Sequence, residues 1–371
     1  MKKLLSILLS ILFITSIFTS CKSNDKNNNL VETDDIITKI YPVNCEVSIH
    51  TDKQAKYLES DYDKLPFGVK GEKESSHPKA IEFQWVYNEE KTDKTEYILN
   101  ISENEDMSTP LTYITSSETF SVFNLKIGMT YYWTISVGDE ISQIYKFTTS
   151  GTAPRNLYVD GVTNVRDIGG WITENGTRTK QGLVYRCARL NESEDNGSGV
   201  IITENGKNVM LNDLGIKTEI DVRRAEKGET GGLTASVLGD TVKYFNFPMD
   251  HANDILNDNK EQIIKFFETL ANQENYPMII HCSVGCDRTG MLVFMVNALL
   301  GVSEENLIRD YMFSNFADVD NKRKVEILKS TAYYQVIMSS EGDTLSEKVY
   351  NCLEKFGVPS EDLDAVISIL S

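Results

Sequence analysis

Residues 276–300, YPMIIHCSVGCDRTGMLVFMVNALL, constrain the fold more than any other stretch of the chain. The short apolar run over 278–280 is typical of a central parallel strand that is covered on both faces. A longer apolar run over 291–300 ends before Gly301, a residue suited to a helix C-terminus. The stretch therefore predicts a buried strand, a short loop over 281–288 and a buried helix.

The loop offers a binding site for an anion. A loop that enters a helix N-terminus presents unpaired backbone N–H groups and the positive end of the helix dipole. Cys282 lies at the base of this site, where the thiolate is stabilised over the thiol, so it is the candidate nucleophile. Arg288 can bind two oxygens of a phosphoryl group with its planar fork, which a lysine could not do. Gly285 lets the backbone turn its amides inward, and Thr289 can donate a hydrogen bond to the leaving thiolate. The residues predicted to line the phosphate site are Ser283, Val284, Gly285, Cys286 and Thr289.

The loop pattern H-C-x5-R-T resembles the signature of the cysteine-dependent protein tyrosine and dual-specificity phosphatases. HCSVGCDRTG is most similar to a bacterial tyrosine phosphatase family whose loop reads H-C-x-x-G-K-D-R-T-G. Three further stretches resemble motifs of that family in the same order, namely NVRDIGG (164–170), GLVYRCARL (182–190) and LGIKTEIDVR (214–223).

The resemblance covers residues 160–371 and implies a cysteine-phosphatase fold that hydrolyses phosphotyrosine or related phosphomonoesters through a phosphocysteine. Strands that alternate with helices independently predict an α/β domain with a central, mostly parallel sheet flanked by helices. A phosphorylated protein or a small phosphomonoester is the expected substrate, and neither a cofactor nor a metal is expected.

The reaction also needs a carboxyl group that protonates the leaving oxygen and later activates water. Asp287 lies inside the loop, where the resembled family carries an Asp that acts as the acid. Asp250 lies 32 residues upstream of Cys282, a separation similar to that of the mobile-loop acid in other cysteine phosphatases. The local match favours Asp287, and Asp250 stays the alternative.

Several charged residues are predicted to support the loop from behind. His281 is expected to orient the loop rather than to act as a base. Arg166, Asp167, Asp221 and Arg223 lie at the ends of predicted strands, and the hypothesis is that they pair with each other.

Cys286 stands where the resembled family has a Lys. Its presence removes a positive charge that would favour polyanionic lipid headgroups, and it places a second thiol four residues from Cys282. The missing charge weakens a phosphoinositide phosphatase as an alternative. A surface lipoprotein that binds phosphorylated ligands without turnover is the other alternative.

The N-terminus has the pattern of an export signal. Two lysines precede an apolar stretch over 4–18, and the residues before Cys21 resemble a bacterial lipoprotein signal in which this cysteine is lipidated. We expect a signal peptide over 1–21, a flexible polar tether over 22–35, and an extracytoplasmic, membrane-anchored lipoprotein on the cell surface or in the periplasm.

Residues 36–150 contain six β-branched and aromatic segments separated by turn-prone residues, which favours an all-β sandwich. LKIGMTYYWTI (125–135) resembles a corner of fibronectin type III domains, with Trp85 as a core residue of an earlier strand. Nothing in the sandwich carries catalytic chemistry, which favours a passive spacer, and a binding module for a protein or a glycan is the alternative. Residues 149–155 then form a linker to a catalytic domain over 156–371.

Composition limits the function further. All 10 Arg lie at or after Arg155, yet the chain carries a net charge of −18, so a nucleic-acid partner is excluded and anion binding must be local to the loop. Five cysteines remain besides Cys21, and their odd number predicts at least one free thiol.

Overall fold

The structure is a computed structural model of the 371-residue chain. It describes residues 19–20, 30–33, 37–59, 74–91, 95–191, 201–224, 229, 233–250, 255–319 and 323–371. Cys21 lies outside the described residues, together with most of the predicted signal peptide and tether. No helix in the described ranges combines the length and the apolar character needed to cross a membrane.

The chain divides into two compact units that are discontinuous in sequence. The first contains residues 1–47, 82–120 and 130–148, and the second contains residues 48–81, 121–129 and 149–371. The predicted boundary near residue 150 stays a prediction, but two stretches that it assigns to the sandwich, 48–81 and 121–129, group with the second unit.

The described residues before Ser150 contain ten strands, and each of the six predicted strand segments contains one. The strands are β1 (Thr19–Ser20), β2 (Ile37–Tyr41), β3 (Cys45–Val47), β4 (Ile81–Tyr87), β5 (Tyr97–Ser102), β6 (Leu111–Thr115), β7 (Thr119–Val122), β8 (Thr130–Val137), β9 (Glu140–Ile141) and β10 (Tyr145–Thr149). One sheet has the order β1-β3-β10-β8-β5-β6, with β9 beside β8, and a second has the order β2-β4-β7.

The two sheets share an aromatic core. Phe83 of β4 packs edge-on against Trp133 of β8, with 5.2 Å between the ring centroids, and against Phe147 of β10 at 5.6 Å. Trp85 is 2% exposed, which confirms its predicted place in the core. Side chains that alternate between a buried and an exposed face, as in β4, are what such a layered arrangement requires.

The second unit contains a five-stranded sheet. Its strands are β11 (Arg166–Asp167), β12 (Val184–Cys187), β13 (Thr218–Asp221), β14 (Lys243–Asn246) and β15 (Met278–His281), in the order β11-β12-β15-β13-β14. β11 is antiparallel to β12 and the other neighbours are parallel, so the predicted mostly parallel sheet is confirmed. All four residues of β15 are buried, as expected for the central strand.

Helices complete this unit. They are α1 (Asp52–Leu58), α2 (Glu204–Asn208), α3 (Ile255–Asp258), α4 (Lys260–Ala271), α5 (Arg288–Leu299), α6 (Glu304–Phe313), α7 (Val325–Lys329), α8 (Ala332–Met338), α9 (Leu345–Phe356) and α10 (Ser360–Leu370). Shorter helical turns lie at Val209–Asp213, Gln273–Asn275 and Ser314–Phe316. All twelve residues of α5 are buried, which explains why its sequence is apolar on every side.

The sheet brings the ends of three distant segments together. In the register of the parallel strands, Cys187 of β12 and Asp221 of β13 both lie opposite His281 of β15. The loop that carries Cys282 therefore starts at the carboxyl edge of the sheet, where parallel α/β folds place their ligands.

Candidate active site

Cys282 follows the central strand directly and is buried, with 1% of its surface exposed. Burial raises the pKa of its thiol, but the charge of Arg288 and interactions with the hydroxyl and N–H of Thr289 outweigh this effect, so that the pKa lies below its usual value. The Thr289 hydroxyl is buried and has no conventional hydrogen-bond partner among the described residues, which leaves it available to the sulfur. The thiolate that a nucleophile needs is thus favoured.

The carbonyl groups of the loop backbone accept hydrogen bonds from residues of other segments. Three successive carbonyl oxygens accept hydrogen bonds, Ser283 from the Arg189 N–H at 3.2 Å, Val284 from Asn164 Nδ2 at 3.1 Å and Gly285 from Arg186 Nη2 at 2.5 Å. Because carbonyl and N–H groups point in opposite directions along a tight loop, fixing the carbonyls outward turns the amides toward the centre. This arrangement is the one that the predicted anion site requires.

Gly285 is required at its position for two reasons. Its φ of +70° is a left-handed conformation that side chains with a Cβ rarely adopt. A Cβ at this position would also collide with the carbonyl group of Cys187. The loop can therefore pack against the end of β12 only with a glycine here.

Arg288 is the first residue of α5 and is almost fully buried. Its Nη1 donates to Glu229 Oε2 at 2.7 Å and to the carbonyl oxygen of Met249 at 3.2 Å. Nη2 donates to Ser283 Oγ at 3.3 Å and to Glu229 Oε1 at 3.4 Å, whereas Nε is buried and has no hydrogen-bond partner within the described ranges. Nε is therefore the donor of the guanidinium that is left for a phosphoryl oxygen, and Nη2, whose two contacts are long, lies on the same edge.

Glu229 holds this guanidinium in place, and sequence reasoning missed it. Burial raises its pKa, but its bonds to Arg288 and Arg224 lower the pKa to about 2, so it is a carboxylate at neutral pH. Arg223 Nη1 donates to the backbone oxygen of Glu229 at 2.8 Å, and Arg223 is itself paired with Asp221 at 2.6 Å. An acidic residue shortly after the D-V-R motif was a visible signal, but Glu226 and Glu229 both fit it.

His281 orients the strand end from a buried position. Its Nε2 lies 2.9 Å from Glu219 Oε1, and its Nδ1 lies 3.8 Å from Asp221 Oδ1. Burial lowers the pKa of His281, but the two carboxylates outweigh it and the pKa is raised. Ligand atoms of these three residues lie within 4.8 Å of one another, yet Ser236 already donates to Glu219 and Tyr244 to Asp221. This cluster is therefore a hydrogen-bonded support of the loop rather than a metal site.

The predicted pairing of the strand-end charges is correct for Asp221 with Arg223 and wrong for Arg166 with Asp167. Arg166 Nε instead binds Asp310 Oδ1 of α6 at 2.7 Å, and Asp167 binds Arg155 at 2.9 Å. Neighbouring residues of a strand point to opposite faces, so they cannot meet side by side. The sequence contains no local signal for Asp310.

Asp310 is the centre of a buried charge cluster behind the loop. It accepts from Arg166 and, at 2.7 Å, from Arg186 Nη1, and these two charges lower its pKa against the effect of burial. Arg166 also binds Asn164 at 2.6 Å, and both Asn164 and Arg186 hold loop carbonyls. Arg166 thus supports the loop through its neighbours.

Each of the two candidate acids forms an ion pair with an arginine. Asp287 is 40% exposed and its Oδ2 lies 2.9 Å from Arg323 Nη2. Asp250 is 59% exposed and its Oδ1 lies 3.1 Å from Arg224 Nη1. The residue before Asp250, Met249, touches Arg288, so both candidates belong to segments that contact the site. The assignment of the acid therefore stays open between them.

Cys286 is a buried thiol, and burial raises its pKa. Its sulfur donates to the carbonyl oxygen of Val284 at 3.3 Å and accepts from Asn164 at 3.4 Å. Cys187, Cys282, Cys286 and Cys352 are free thiols, which confirms the expectation of at least one.

A thiolate in a nest of amides, with an arginine edge open to two oxygens, has the components of a cysteine-dependent phosphoryl-transfer centre. Residues 157–364 match the model of the tyrosine phosphatase family, and the chain belongs to that family.

The relatives are distant. A putative tyrosine-protein phosphatase of Cupriavidus necator is 24% identical in an alignment of 192 positions that covers 43% of this chain and 63% of the relative. The chain thus spans less than two thirds of that protein. Solved structures include the core catalytic domain of the PP-IP phosphatase SIW14 from S. cerevisiae, at 17% identity and a TM-score of 0.31, over 46% of this chain and 88% of that one. TpbA of P. aeruginosa has 18% identity and a TM-score of 0.30 over the same shares.

Proposed function

We propose that the chain is an exported, lipid-anchored phosphatase that hydrolyses phosphotyrosine or related phosphomonoesters through a phosphocysteine intermediate. The observation that supports it most is the pairing of a Cys282 thiol of lowered pKa with the Nε edge of Arg288 at one helix N-terminus. Membership of the tyrosine phosphatase family supports the same chemistry.

In the first step the Cys282 thiolate attacks phosphorus, the P–O bond to the leaving group breaks and a P–S bond forms. The loop amides and Arg288 neutralise the charge on the equatorial oxygens, and a carboxyl group gives its proton to the leaving oxygen. In the second step a water molecule loses a proton to that carboxylate and attacks phosphorus. The P–S bond breaks, and Thr289 stabilises the released thiolate.

The export and the anchor are supported by the sequence before Cys21 and by the polar tether that follows. A mature protein held by one lipidated cysteine would act on phosphorylated molecules outside the cytoplasm. The first unit contributes no catalytic group to this proposal, and its role as a docking module for a protein or a glycan rests on its sandwich-like strands alone.

Turnover of para-nitrophenyl phosphate by the purified full chain tests the activity. Cys282→Ser should abolish turnover and keep the fold and phosphate binding, since a serine hydroxyl is not ionised at this site. Cys352→Ser is a matched control, because Cys352 is another buried free thiol, on α9, and should keep its rate.

A rapid acid quench during turnover should trap phosphate on the peptide that contains Cys282. Wild-type rates in Cys282→Ser would refute the mechanism. Phosphate binding without any turnover in the wild type would instead leave a protein that only binds phosphorylated ligands.

A further inference from the structure

Glu229, which holds Arg288, is itself held by two consecutive arginines that follow β13. Arg223 Nη1 donates to the backbone oxygen of Glu229 at 2.8 Å. Arg224 binds the carboxylate twice, from its backbone N–H to Oε2 at 2.9 Å and from Nη2 to Oε1 at 3.3 Å. Glu229 is therefore fixed at its backbone by one arginine and at its side chain by the next.

Both oxygens of the Glu229 carboxylate are shared between two guanidinium groups. Arg288 donates to Oε2 at 2.7 Å and to Oε1 at 3.4 Å, and Arg224 binds the same two atoms. The side chains of Glu229 and Arg288 are 9% and 1% exposed, so water competes little for these contacts. A rotation of the carboxylate would therefore disturb its bonds to both arginines.

The guanidinium of Arg224 has a second anchor. Its Nη1 donates to Asp250 Oδ1 at 3.1 Å. The backbone of Asp250 is fixed in turn by Asn259, whose Oδ1 accepts from the Asp250 N–H at 2.6 Å and whose Nδ2 donates to the Asp250 carbonyl at 3.1 Å. A planar guanidinium that is bound through two of its nitrogens has little freedom to rotate. Arg224 thus joins Glu229 to a second fixed point of the chain.

Other buried arginines near the site act on different groups. Arg166 and Arg186 bind Asp310, and Arg186 also binds the carbonyl oxygen of Gly285, so they support the backbone of the loop. Arg224 contacts the carboxylate that orients the catalytic guanidinium. Its effect should therefore fall on the contact between Arg288 and the phosphate.

We propose that Arg224 is a positioning residue for phosphoryl transfer, which holds Glu229 in the orientation that directs Arg288 toward the phosphate. This inference rests on the proposed phosphatase function. Small displacements of a residue that binds the reacting group are costly, because the contact to the transition state needs a defined geometry. Without Arg224, the Glu229 carboxylate keeps Arg288 as a partner but loses the contacts that fix its own rotamer.

A double-mutant cycle in the full chain tests whether Arg224 acts through Glu229. Arg224→Gln should lower kcat/KM for para-nitrophenyl phosphate about fivefold or more, but less than about twofold when Glu229→Gln is already present. Binding of inorganic phosphate to the Cys282→Ser chain with the same substitutions should follow the same pattern without turnover. Arg309→Gln, which breaks a pair with Glu305 on α6, is the matched control and should change neither quantity.

Arg224→Lys separates positioning from charge, and it keeps the experiment decisive if the Gln variant does not fold. The lysine retains the positive charge and the backbone N–H, but a single ammonium lacks the planar fork that binds Glu229 and Asp250 together. We expect a loss of about threefold or more in kcat/KM and in phosphate affinity. Wild-type values in Arg224→Lys would overturn the positioning role.

The leaving group separates this role from an action through Asp250, which is one of the candidate acids. A contact to the phosphoryl oxygens is needed whatever group departs, so Arg224→Gln should slow para-nitrophenyl phosphate and phenyl phosphate by the same factor. A loss that is much larger for phenyl phosphate, whose phenol is less acidic, would overturn the proposal and assign Arg224 to the protonation step.

Equal losses from Arg224→Gln with and without Glu229→Gln, or no loss in either background, would also overturn it, because Arg224 would then act by its charge at a distance or not at all. The proposed function fails separately, by a wild-type chain that binds phosphate and hydrolyses none of these esters. The phosphate-binding cycle would still decide the role of Arg224 in that case.

Discussion

Glu229 is the side chain on which the geometry of Arg288 depends most. It accepts from Nη1 of the guanidinium at 2.7 Å and from Nη2 at 3.4 Å, and it leaves Nε without a partner among the described residues. An arginine without this partner could still carry its charge, but it would sample several rotamers. Correct orientation of the fork, rather than charge alone, is what a bidentate contact to a phosphoryl group requires.

We predict that Glu229→Gln lowers kcat/KM for para-nitrophenyl phosphate by at least about tenfold, equivalent to about 1.4 kcal/mol of transition-state stabilisation. The amide keeps the size of the side chain and loses the charge that fixes Arg288. Steady-state kinetics give the value. Glu305→Gln, which breaks a pair on the surface with Arg309, is the control and should leave kcat/KM unchanged, and an equally small effect of Glu229→Gln would show that Arg288 is fixed by other contacts.

The lowered pKa of Cys282 predicts how the rate at which its thiol is alkylated depends on pH. Only the thiolate is alkylated by iodoacetate, so a lowered pKa moves the midpoint of the rate profile below pH 9.0, the ordinary value for a thiol. Thr289→Val removes a hydroxyl that stabilises the thiolate, so the midpoint should move to higher pH. Mass spectrometry of the Cys282 peptide, with the Cys352 peptide as an internal reference, measures both. A midpoint that does not change would mean that Thr289 does not interact with the sulfur in solution.

The two candidate acids can be separated by the leaving group. If Asp287 is the acid, Asp287→Asn should slow hydrolysis of alkyl phosphates by about a hundredfold or more, because an alkoxide must be protonated as it leaves. Aryl phosphates with acidic phenols should be slowed far less. Asp250→Asn should then have little effect on either, and the inverse pattern would assign the role to Asp250.

At this scale the sequence predicts which residues act and misses some of those that hold them. Cys282, Arg288 and Thr289 follow one another in a local pattern, so their proximity is fixed by a strand, a loop and a helix. Glu229 and Arg323 reach the same place from other segments of the chain, and no spacing rule connects them to the loop. Contacts of this kind depend on how the segments pack, which a local pattern does not contain.

Among the elements, β15 and α5 are the most predictable. The apolar run over 278–280 became the central strand, and the helix begins at Arg288, one residue before the predicted Thr289. Ser303 precedes α6 and its hydroxyl accepts from the N–H of Asn306, whereas Ser360 is the first residue of α10, whose N-cap is Pro359. Strong local signals thus set the elements, with errors of about one residue at their ends.

The sequence analysis assigned helix α1 to the sandwich, whereas the structure places it in the second unit. Tyr57 of α1 is fully buried, packs against the rings of Phe313 and Phe316 at 6.3 and 5.5 Å, and donates to the carbonyl oxygen of Arg309 at 2.9 Å. Gln54, one turn earlier in α1, donates from Nε2 to the carbonyl oxygens of Ser75 and His77. A stretch that precedes most of the sandwich in sequence therefore completes the core beneath α6.

We predict that Tyr57→Ala in the full chain destabilises the second unit by about 3 kcal/mol or more, as expected when a buried aromatic side chain is removed. Tyr57→Phe keeps the ring and loses one hydrogen bond, so it should cost only about 1 kcal/mol. Urea unfolding followed through loss of phosphatase activity measures both. If both variants are as stable as the wild type, α1 is dispensable, and a fragment that starts at Leu157 would keep full stability.

At the scale of the whole molecule, the net charge opposes the approach of a phosphate ester. The net charge of −18 repels phosphate esters at long range, and all 10 Arg lie at or after residue 155. Raising the ionic strength screens the repulsion more than the buried contacts of the loop. A protein with this balance gains from an arrangement that keeps it near its substrates, and a membrane anchor would do so.

The last prediction concerns that anchor. Cys21→Ala should move the protein from the membrane fraction to the soluble fraction or leave it unprocessed, because the lipid would be attached to this sulfur. Fractionation followed by immunoblotting measures the distribution, and Cys352→Ser is the control that keeps all residues of the signal. A lipidated sulfur is a thioether and can form no disulfide, so peptide mapping without reduction gives an independent answer. A disulfide from Cys45 to Cys21 in the mature protein, or unchanged membrane association of Cys21→Ala, would refute the anchor.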